Sequence, residues 1–588
     1  MRPQVQVLYH PPNLDSQRRQ GAGYFSQKGP LFSWHANKEK GGIEVDERGT
    51  DAARRSVVIA PTGMVATSQP LAVQAGIAIL RAGGTAVDAA IAVNAMLGLV
   101  EPMSCGIGGD LFAIVWEDRS KSLIGLNGSG RSPHSLSCET LTDKGFRQIP
   151  LRGPLSWTIP GCVDGWFALH ERFCRLPMTD ILAPAIHYAK TGFPVTPVIA
   201  RAWQEATKML SEDPRAAETF LHCGKAPTCG AVFRNPDLAD TLSLIAKNGK
   251  DAFYRGRIAR EIVSFSNKAG GYLSAADFSG HFSSWVKPVS VSYHGYEVWE
   301  LPPNTQGLAV LEMLQIIAGF DPERLGRNST DYLHLLIEAK KLAYADRARF
   351  YADPDYSDVP VEGLIEEGYA RGQRARINLE KAAAEVPAGD PCLNNGDTVY
   401  LTVVDGDRNA VSFIQSVYRG FGSGIVPGHL GFVLQNRGTL FSLDRDHPNR
   451  LEPHKRPFHT IIPGFVTQKG KPVFSFGVMG GDQQPQGQVQ ILLNIIDFHM
   501  DAQRAGDALR FRHAGSCSPT GYAMHDGGIV YLEPGIPAAV ATGLRKKGHC
   551  VEYRQDGYGG YQGIWMDPVT NMLYGGSEPR KDGCAIGY

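Results

Sequence analysis

Apolar and polar residues follow different periods on the two sides of residue 398. Before it, apolar residues recur every three or four positions, which predicts amphipathic helices. Two such stretches are LAVQAGIAILRAGG at 71–84 and TDYLHLLIEAKKLAYADRARFYAD at 330–353. After it, apolar and polar residues alternate in VYLTVVD and AVSFIQSVY, which predicts strands joined by a turn at DGDRN. We therefore expect one α/β unit in which helices cover sheets.

The same periodicities place further helices. One is predicted in EGYARGQRARINLEKAAAE at 367–385, and another in GQVQILLNIIDFHMDAQRAGDAL at 487–509. The stretch from Thr85 to Val100 is apolar on nearly every side, which predicts a helix buried in the core. It contains Asp88 and Asn94 and is too short to span a bilayer comfortably. We expect no membrane partner.

Residues 1–56 differ from the rest of the chain. They are polar and weakly periodic, so we expect an N-terminal extension that is loosely ordered. Their first residues contain no apolar run of signal-peptide length. We therefore expect a cytoplasmic protein.

Composition excludes several functions. The chain has 59 acidic and 59 basic residues, and this neutrality argues against nucleic acid as a partner. Its 10 cysteines include no CxxC pair, and we see no complete zinc motif or other cofactor motif. The turn GIGGD at 106–110 lacks the GxGxxG spacing of a dinucleotide site. We expect neither a metal nor an organic cofactor.

Thr398 opens the first predicted strand after the polar loop CLNNGD. A threonine there is either a simple strand residue or a nucleophile released by cleavage after Asp397. As an N-terminus it would carry its own base, because an α-amino group has a pKa of roughly 7.7–8.0. Such a nucleophile needs backbone donors for an oxyanion, and Gly480 and Gly481 in FGVMGGDQQPQG are candidates.

Motifs along residues 57–588 resemble the γ-glutamyltransferase family of N-terminal-nucleophile hydrolases. They occur in the family's order: GMVATSQPLAVQAGIAILRAGGTAVDAAIAV, EPMSCGIGGDLF, IPGCVDGW, LPPNTQG, DTVYLTVVDGDRNAVS, GFGSGI, HKRPFHTIIP, GVMGG and SEPRKDGCAIGY. The resemblance implies an α+β fold with four layers in the order helix, sheet, sheet, helix (αββα). It also implies self-cleavage between Asp397 and Thr398. The products would be two subunits that are interleaved in one domain as a heterodimer. The large subunit, residues 57–397 preceded by the extension 1–56, would be mainly helical. The small subunit would comprise residues 398–588.

The resemblance assigns roles to single residues. Thr398 falls on the nucleophile, Gly480 and Gly481 on the oxyanion-hole glycines, and Ser416 on a hydroxyl near the nucleophile. Thr460 falls on the second of two family serines, and His459 replaces the first. We expect His459 to be a pocket or packing residue, because the α-amino group acts as the base.

The chain departs from the family where glutathione-processing members hold their substrate. Ser129 replaces the arginine that binds the α-carboxylate, and Arg131 lies two residues on. Leu440 replaces the acidic residue that binds the α-amino group. Tyr418 replaces an asparagine contact, and Arg437 stands where the family often has Gln or Glu.

These departures predict a preference for an acyl group that has a carboxylate but no α-amine, since an unpaired buried ammonium is costly. Arg131 and Arg437 are the candidate carboxylate clamps. The pattern favours an acylase or amidohydrolase acting on a small amide. The alternatives are a true glutathione hydrolase or transpeptidase and, less favoured, a member without catalysis.

Overall fold

The computed structural model describes residues 55–386 and 397–588, all of which belong to one compact unit. The strands are β1 (Val58–Ala60), β2 (Met64–Thr67), β3 (Asp110–Glu117), β4 (Ser122–Gly128), β5 (Phe193–Pro194), β6 (Val232–Phe233), β7 (Ser284–Val286), β8 (Val289–Tyr293), β9 (Tyr296–Glu300), β10 (Asp397–Val404), β11 (Ala410–Tyr418), β12 (Gly464–Gln468), β13 (Lys471–Met479), β14 (Phe511–Ala514), β15 (Ile529–Leu532), β16 (Cys550–Tyr553), β17 (Gly560–Met566), β18 (Leu573–Ser577) and β19 (Cys584–Gly587).

The helices are α1 (Pro70–Arg81), α2 (Ala86–Val100), α3 (Cys138–Thr142), α4 (Cys162–Phe173), α5 (Met178–Thr191), α6 (Pro197–Leu210), α7 (Pro214–Phe220), α8 (Pro236–Asn248), α9 (Asp251–Tyr254), α10 (Arg257–Lys268), α11 (Ala275–Ser279), α12 (Leu308–Ile317), α13 (Pro322–Leu325), α14 (Thr330–Phe350), α15 (Val361–Leu364), α16 (Glu367–Arg374), α17 (Gln483–Ile496), α18 (Ala502–Asp507) and α19 (Ala538–Lys546). Short 3-10 turns lie at Pro154–Ser156 and Arg437–Leu440. None of the helices in these ranges is long and apolar enough to cross a bilayer.

Two seven-stranded sheets form the centre. One has the order β19-β2-β10-β11-β3-β4-β7, and the other has the order β1-β18-β17-β13-β12-β9-β8. The alternation along β10 explains how they stack: Leu401 and Val403 belong to one apolar cluster, whereas Tyr400 and Val404 belong to the cluster between the sheets. Thr402 Oγ1 reaches Ser475 Oγ of β13 across that interface at 2.7 Å.

Helices cover the outer face of each sheet. Helices α1, α2 and α4 pack on the β10 sheet, with α5 against α2 and α8 against α5, and α12 and α17 pack on the β13 sheet, with α14 against α12. Helix α2 is the predicted buried helix, and Thr85 begins it with a capping box to Asp88. The order of layers is helix, sheet, sheet, helix, which confirms the α+β, αββα expectation.

Two predicted elements need correction. The helix expected at 367–385 ends at Arg374, and the one expected at 487–509 is divided into α17 and α18. The strands β3 and β4 were not predicted, although most elements described before Thr398 are helices. The extension expected at 1–56 lies outside the described residues except for its last two.

Candidate active site

Thr398 lies at a β-bulge near the start of β10. Asp397 pairs with Tyr418 and Val399 pairs with Gln415, so β11 has one extra residue opposite Thr398. A bulge turns a strand locally and changes where its side chains point. Thr398 therefore leaves the regular ladder at the edge of the two-sheet interface, and it is 3% exposed.

Two side chains fix the surroundings of this bulge. Ser416 Oγ accepts a hydrogen bond from the backbone N–H of Tyr418 at 2.8 Å, and Tyr418 has a φ of 78°. Gln484 Nε2 donates to Thr398 Oγ1 at 3.4 Å. Ser416 thus supports the backbone beside the hydroxyl, while Gln484 of α17 contacts the hydroxyl itself. Gln484 was not predicted, although it follows the predicted glycines by one helical turn.

The two predicted oxyanion glycines form the turn between β13 and α17. Gly480 and Gly481 have φ values of 125° and 58°, which favour glycine. Their carbonyl groups accept from the N–H groups of Gln483 and Gln484 at 3.0 and 3.1 Å, which begins the helix. Gly480 and Thr398 line one cavity of about 750 Å³. The structure therefore brings the predicted nucleophile and glycine turn together.

A buried polar network holds this turn in place. Gln306 Nε2 donates to Gly481 O at 3.0 Å and to Thr460 O at 2.5 Å. Arg347 Nη1 donates to Gln306 Oε1 at 2.6 Å and to Asp482 Oδ1 at 2.7 Å. Fixed donors and dipoles around a nucleophile are the basis of electrostatic stabilisation in catalysis. The sequence indicates Gln306 only as part of the motif LPPNTQG.

Arg437 is fully buried against the ring of Tyr418, the residue that pairs with Asp397 at the bulge. Its guanidinium stacks 4.5 Å from the ring centre of Tyr418, and Nη1 donates to Thr460 Oγ1 at 2.8 Å. Nε and Nη2 have no hydrogen-bond partner among the described residues, and the side chain is fully buried. Burial lowers the pKa of Arg437 to about 10. Leu440 is buried in the apolar cluster that also contains Phe458.

His459 pairs with a buried carboxylate. Its Nε2 lies 3.1 Å from Asp110 Oδ2, and its ring meets Phe112 edge-on. The other oxygen of Asp110 accepts bonds from the Gly130 and Gly161 N–H groups and from Gln435 Nε2. Burial holds the pKa of His459 well below its usual range and raises that of Asp110 to about 6. Both side chains are fully buried and do not line the Thr398 cavity.

Arg131 contacts Phe282 and Asp355 and does not reach the cavity at Thr398. Its Nη1 donates to Phe282 O at 3.2 Å, and its guanidinium stacks 4.4 Å from the Phe282 ring centre. Nη2 lies 3.9 Å from Asp355. Burial and the nearby charge of Arg456 lower the pKa of Arg131 to about 10. Arg131 does not line the cavity at Thr398, so the structure does not join it to the other predicted residues.

One trio of metal-ligand side chains gathers within the described ranges, away from Thr398. It consists of His334, Glu338 and His549, whose donor atoms lie within 4.8 Å of one another. Most of their ligand atoms already have partners: His549 Nε2 lies 2.7 Å from His334 Nδ1, and Glu338 Oε1 accepts from Lys341 at 2.8 Å. His334 Nε2 contacts Asn378 O at 2.8 Å, and Glu338 Oε2 accepts from Ala383 N–H at 3.1 Å. The trio therefore fastens residues 378–383 to α14.

Known proteins resemble the chain over nearly its whole length. The Gamma-glutamyltranspeptidase family profile matches residues 72–588. A glutathione hydrolase-like YwrD proenzyme of Bacillus subtilis (strain 168) is 39% identical over 90% of this chain and 99% of its own. An acylase ACY 1 proenzyme of Pseudomonas sp. (strain SE83) is 35% identical over 89% of this chain and 93% of its own.

A solved structure agrees with these matches. The cephalosporin acylase from Bacillus halodurans superposes with a TM-score of 0.85 at 44% identity, covering 93% of this chain and 99% of that one. The family profile, the relatives and the layered fold agree with the resemblance found in the motifs. The chain is therefore a hydrolase that belongs to the gamma-glutamyltranspeptidase family.

Proposed function

We propose that the chain cleaves itself between Asp397 and Thr398 and then hydrolyses small N-acyl amides whose acyl group ends in a carboxylate. Thr398 Oγ1 first attacks the Asp397 carbonyl carbon, the Asp397–Thr398 C–N bond breaks, and the hydroxyl proton passes to the nitrogen, which gives an ester and a free Thr398 amine. Water then hydrolyses the ester, which frees Oγ1 and leaves Asp397 with a C-terminal carboxylate. That amine then takes the hydroxyl proton while Oγ1 attacks the substrate amide. The proton passes to the leaving amine, and water hydrolyses the acyl-enzyme. Backbone donors of the turn at Gly480 and Gly481 are the proposed oxyanion hole.

The observation that carries the substrate class is the buried Arg437 guanidinium beside Tyr418. Arg437 is fully buried with Nε and Nη2 unpartnered among the described residues. A guanidinium in that state binds a carboxylate well, because the bonds are charge-assisted and the desolvation cost is already met. At the place of the family's acidic residue, Leu440 offers only apolar surface, so a substrate ammonium would lose its charge partner. The names of the acylase relatives support the same class.

A paired rate comparison tests this proposal. The substrates are glutaryl-p-nitroanilide and γ-glutamyl-p-nitroanilide, which differ only in the α-amine and its charge. We expect kcat/KM for the glutaryl substrate to equal or exceed that for the γ-glutamyl substrate. A clear preference for γ-glutamyl would contradict the proposal and favour a glutathione hydrolase or transpeptidase.

Three variants locate the carboxylate. Arg437→Met should lower kcat/KM for the glutaryl substrate by about 10- to 100-fold, the usual value of a charge-assisted pair. Arg131→Met tests the other predicted clamp, and a loss as large as that of Arg437→Met would give both residues this role. Arg371→Met is the control, because Arg371 lies on α16 with a side chain 73% exposed. It should leave both substrates unaffected.

A further inference from the structure

Arg512 on β14 is a buried cation with no hydrogen-bond partner among the described residues. The residue is 7% exposed, its Nε has no partner, and within the described ranges its guanidinium forms no hydrogen bond or ion pair. The backbone of Gly557 lies against it, because a Cβ there would come within 2.9 Å of Nη1. Burial lowers the pKa of Arg512, and the charge of Asp482 offsets this only in part. A side chain in this state is costly to keep unless something else pairs with it.

The cavity at Thr398 indicates what kind of ligand could pair with Arg512. Arg512, Thr398 and Gly480 all line it, so the free guanidinium shares a space with the proposed reacting groups. Six of the lining side chains are cationic: Arg152, Arg201, Arg512, Arg554, Arg580 and Lys581. Three are carboxylates: Glu205, Glu533 and Asp556. The cavity therefore has an excess of positive charge and attracts anions.

The other arginines of the cavity are engaged with the protein. Arg580 bonds both oxygens of Glu533, and Arg554 Nε donates to Asp556 at 2.9 Å. Arg152 donates to the carbonyl groups of Gly420 and Gly422. Arg201 is exposed, and its Nε donates to Glu205 at 3.3 Å. Among the arginines that line the cavity in the described part of the chain, Arg512 is thus the one that is buried and forms no hydrogen bond or ion pair.

Arg437 and Arg512 differ in their access to the cavity at Thr398. Arg437 is fully buried and does not line the cavity, whereas Arg512 does. Since the proposed function assigns the acyl carboxylate to Arg437, the open cavity is left for the leaving amine, which departs from it to solvent. Arg512 then faces the amine half of the substrate.

We propose that Arg512 binds an anionic group, most simply a carboxylate, on the amine half of the substrate, so that the amide has a carboxylate on each side of its scissile bond. The inference rests on the proposed function, which assigns the other carboxylate to Arg437. It names the leaving group as an acidic amine, such as an amino acid or another amine with a carboxylate.

Two glutaryl anilides with different leaving groups test this. Glutaryl-p-nitroanilide releases a neutral amine, and glutaryl-3-carboxy-4-nitroanilide releases one with a carboxylate. We expect the wild type to favour the carboxylated substrate in kcat/KM. Arg512→Met should lower kcat/KM for that substrate by about 10- to 100-fold and change the neutral one by less than about threefold. Arg512→Lys should restore part of the preference.

Control measurements separate binding from folding. Arg201→Met removes a cavity arginine whose side chain is 73% exposed and should leave the substrate preference unchanged. The Tm of Arg512→Met should equal or exceed that of the wild type, because the substitution removes an unpaired buried charge. The free 3-carboxy-4-nitroaniline should raise the Tm of the wild type but not that of Arg512→Met.

Each of the remaining outcomes would contradict either the inference about Arg512 or the proposed function. Equal losses on both substrates would place Arg512 on the acyl side or in a structural role, and either would overturn the inference. No wild-type preference for the carboxylated anilide would overturn it too, while hydrolysis of the glutaryl substrates would leave the proposed function intact. If the wild type hydrolyses only γ-glutamyl substrates, the proposed function fails instead. The same two leaving groups on γ-glutamyl then decide the role of Arg512 separately.

Discussion

At the scale of single residues, the proposed function gives the Thr398 hydroxyl two roles. Because we assign self-cleavage and turnover to the same Oγ1, Thr398→Ala should give a chain that stays uncut and inactive. Thr398→Ser keeps a hydroxyl at that place and should still be cut. Denaturing gels and intact mass show the state of the chain, and N-terminal sequencing of the small fragment should begin at Thr398. Normal cutting of Thr398→Ala would show that another group breaks the bond.

The sequence identifies candidate site residues when their proposed role depends on their immediate neighbours along the chain. Thr398 begins a strand after a polar loop, and the glycines follow a strand, so a short motif indicates both. The availability of Arg512 is different, because it depends on what β14, the 554–559 loop and the cavity place around it. Likewise His459 and Asp110 pair across 349 positions of sequence. Residues that meet in space but lie so far apart in sequence produce no periodicity or motif spacing from which their contact could be predicted.

At the scale of elements, the turn after β13 is where a glycine is required. Gly480 has a φ of 125°, and a Cβ there would lie 3.2 Å from Gly559 Cα. Gly480→Ala should therefore displace the turn and lower kcat by about 10²- to 10³-fold, the effect of losing an oxyanion donor. Self-cleavage should slow as well. Kinetics and the rate of fragment appearance measure both effects.

Gly470 provides the matched control for that substitution. It also has a positive φ, 74°, in the β12–β13 turn, but a Cβ there would meet nothing within 4 Å. Gly470→Ala should cost about 1 kcal/mol of stability, as any left-handed alanine does, and leave kcat unchanged. If both variants lose activity equally, general destabilisation and not the Gly480 turn is responsible.

The elements that the sequence misplaces have identifiable tertiary causes. Strand β3 is buried on both faces, so its residues DLFAIVWE show little of the alternation that reveals a strand. The segment after Arg374 has helix-forming residues but bonds to distant backbone instead: Ala382 N–H donates to Lys547 O at 2.7 Å. Such contacts override local helix propensity.

At the scale of the whole molecule, both central sheets combine strands from before and after Thr398. Strand β10 lies between β2 and β11, and β12 lies between β9 and β13. The motifs imply this interleaving through the family resemblance, whereas periodicity alone predicts only helices over sheets. Strand order depends on pairings between distant segments, which no local pattern contains.

This interleaving predicts how the cleaved protein behaves. Fragments 1–397 and 398–588 should co-elute in gel filtration at the position of the uncut Thr398→Ala chain, and dilution should not separate them. To come apart they must break the β2–β10, β3–β11 and β9–β12 ladders and expose the apolar cluster between the sheets. Separation should therefore need a denaturant and coincide with the loss of circular dichroism. Fragments that separate in buffer while each keeps its secondary structure would contradict a single interleaved domain.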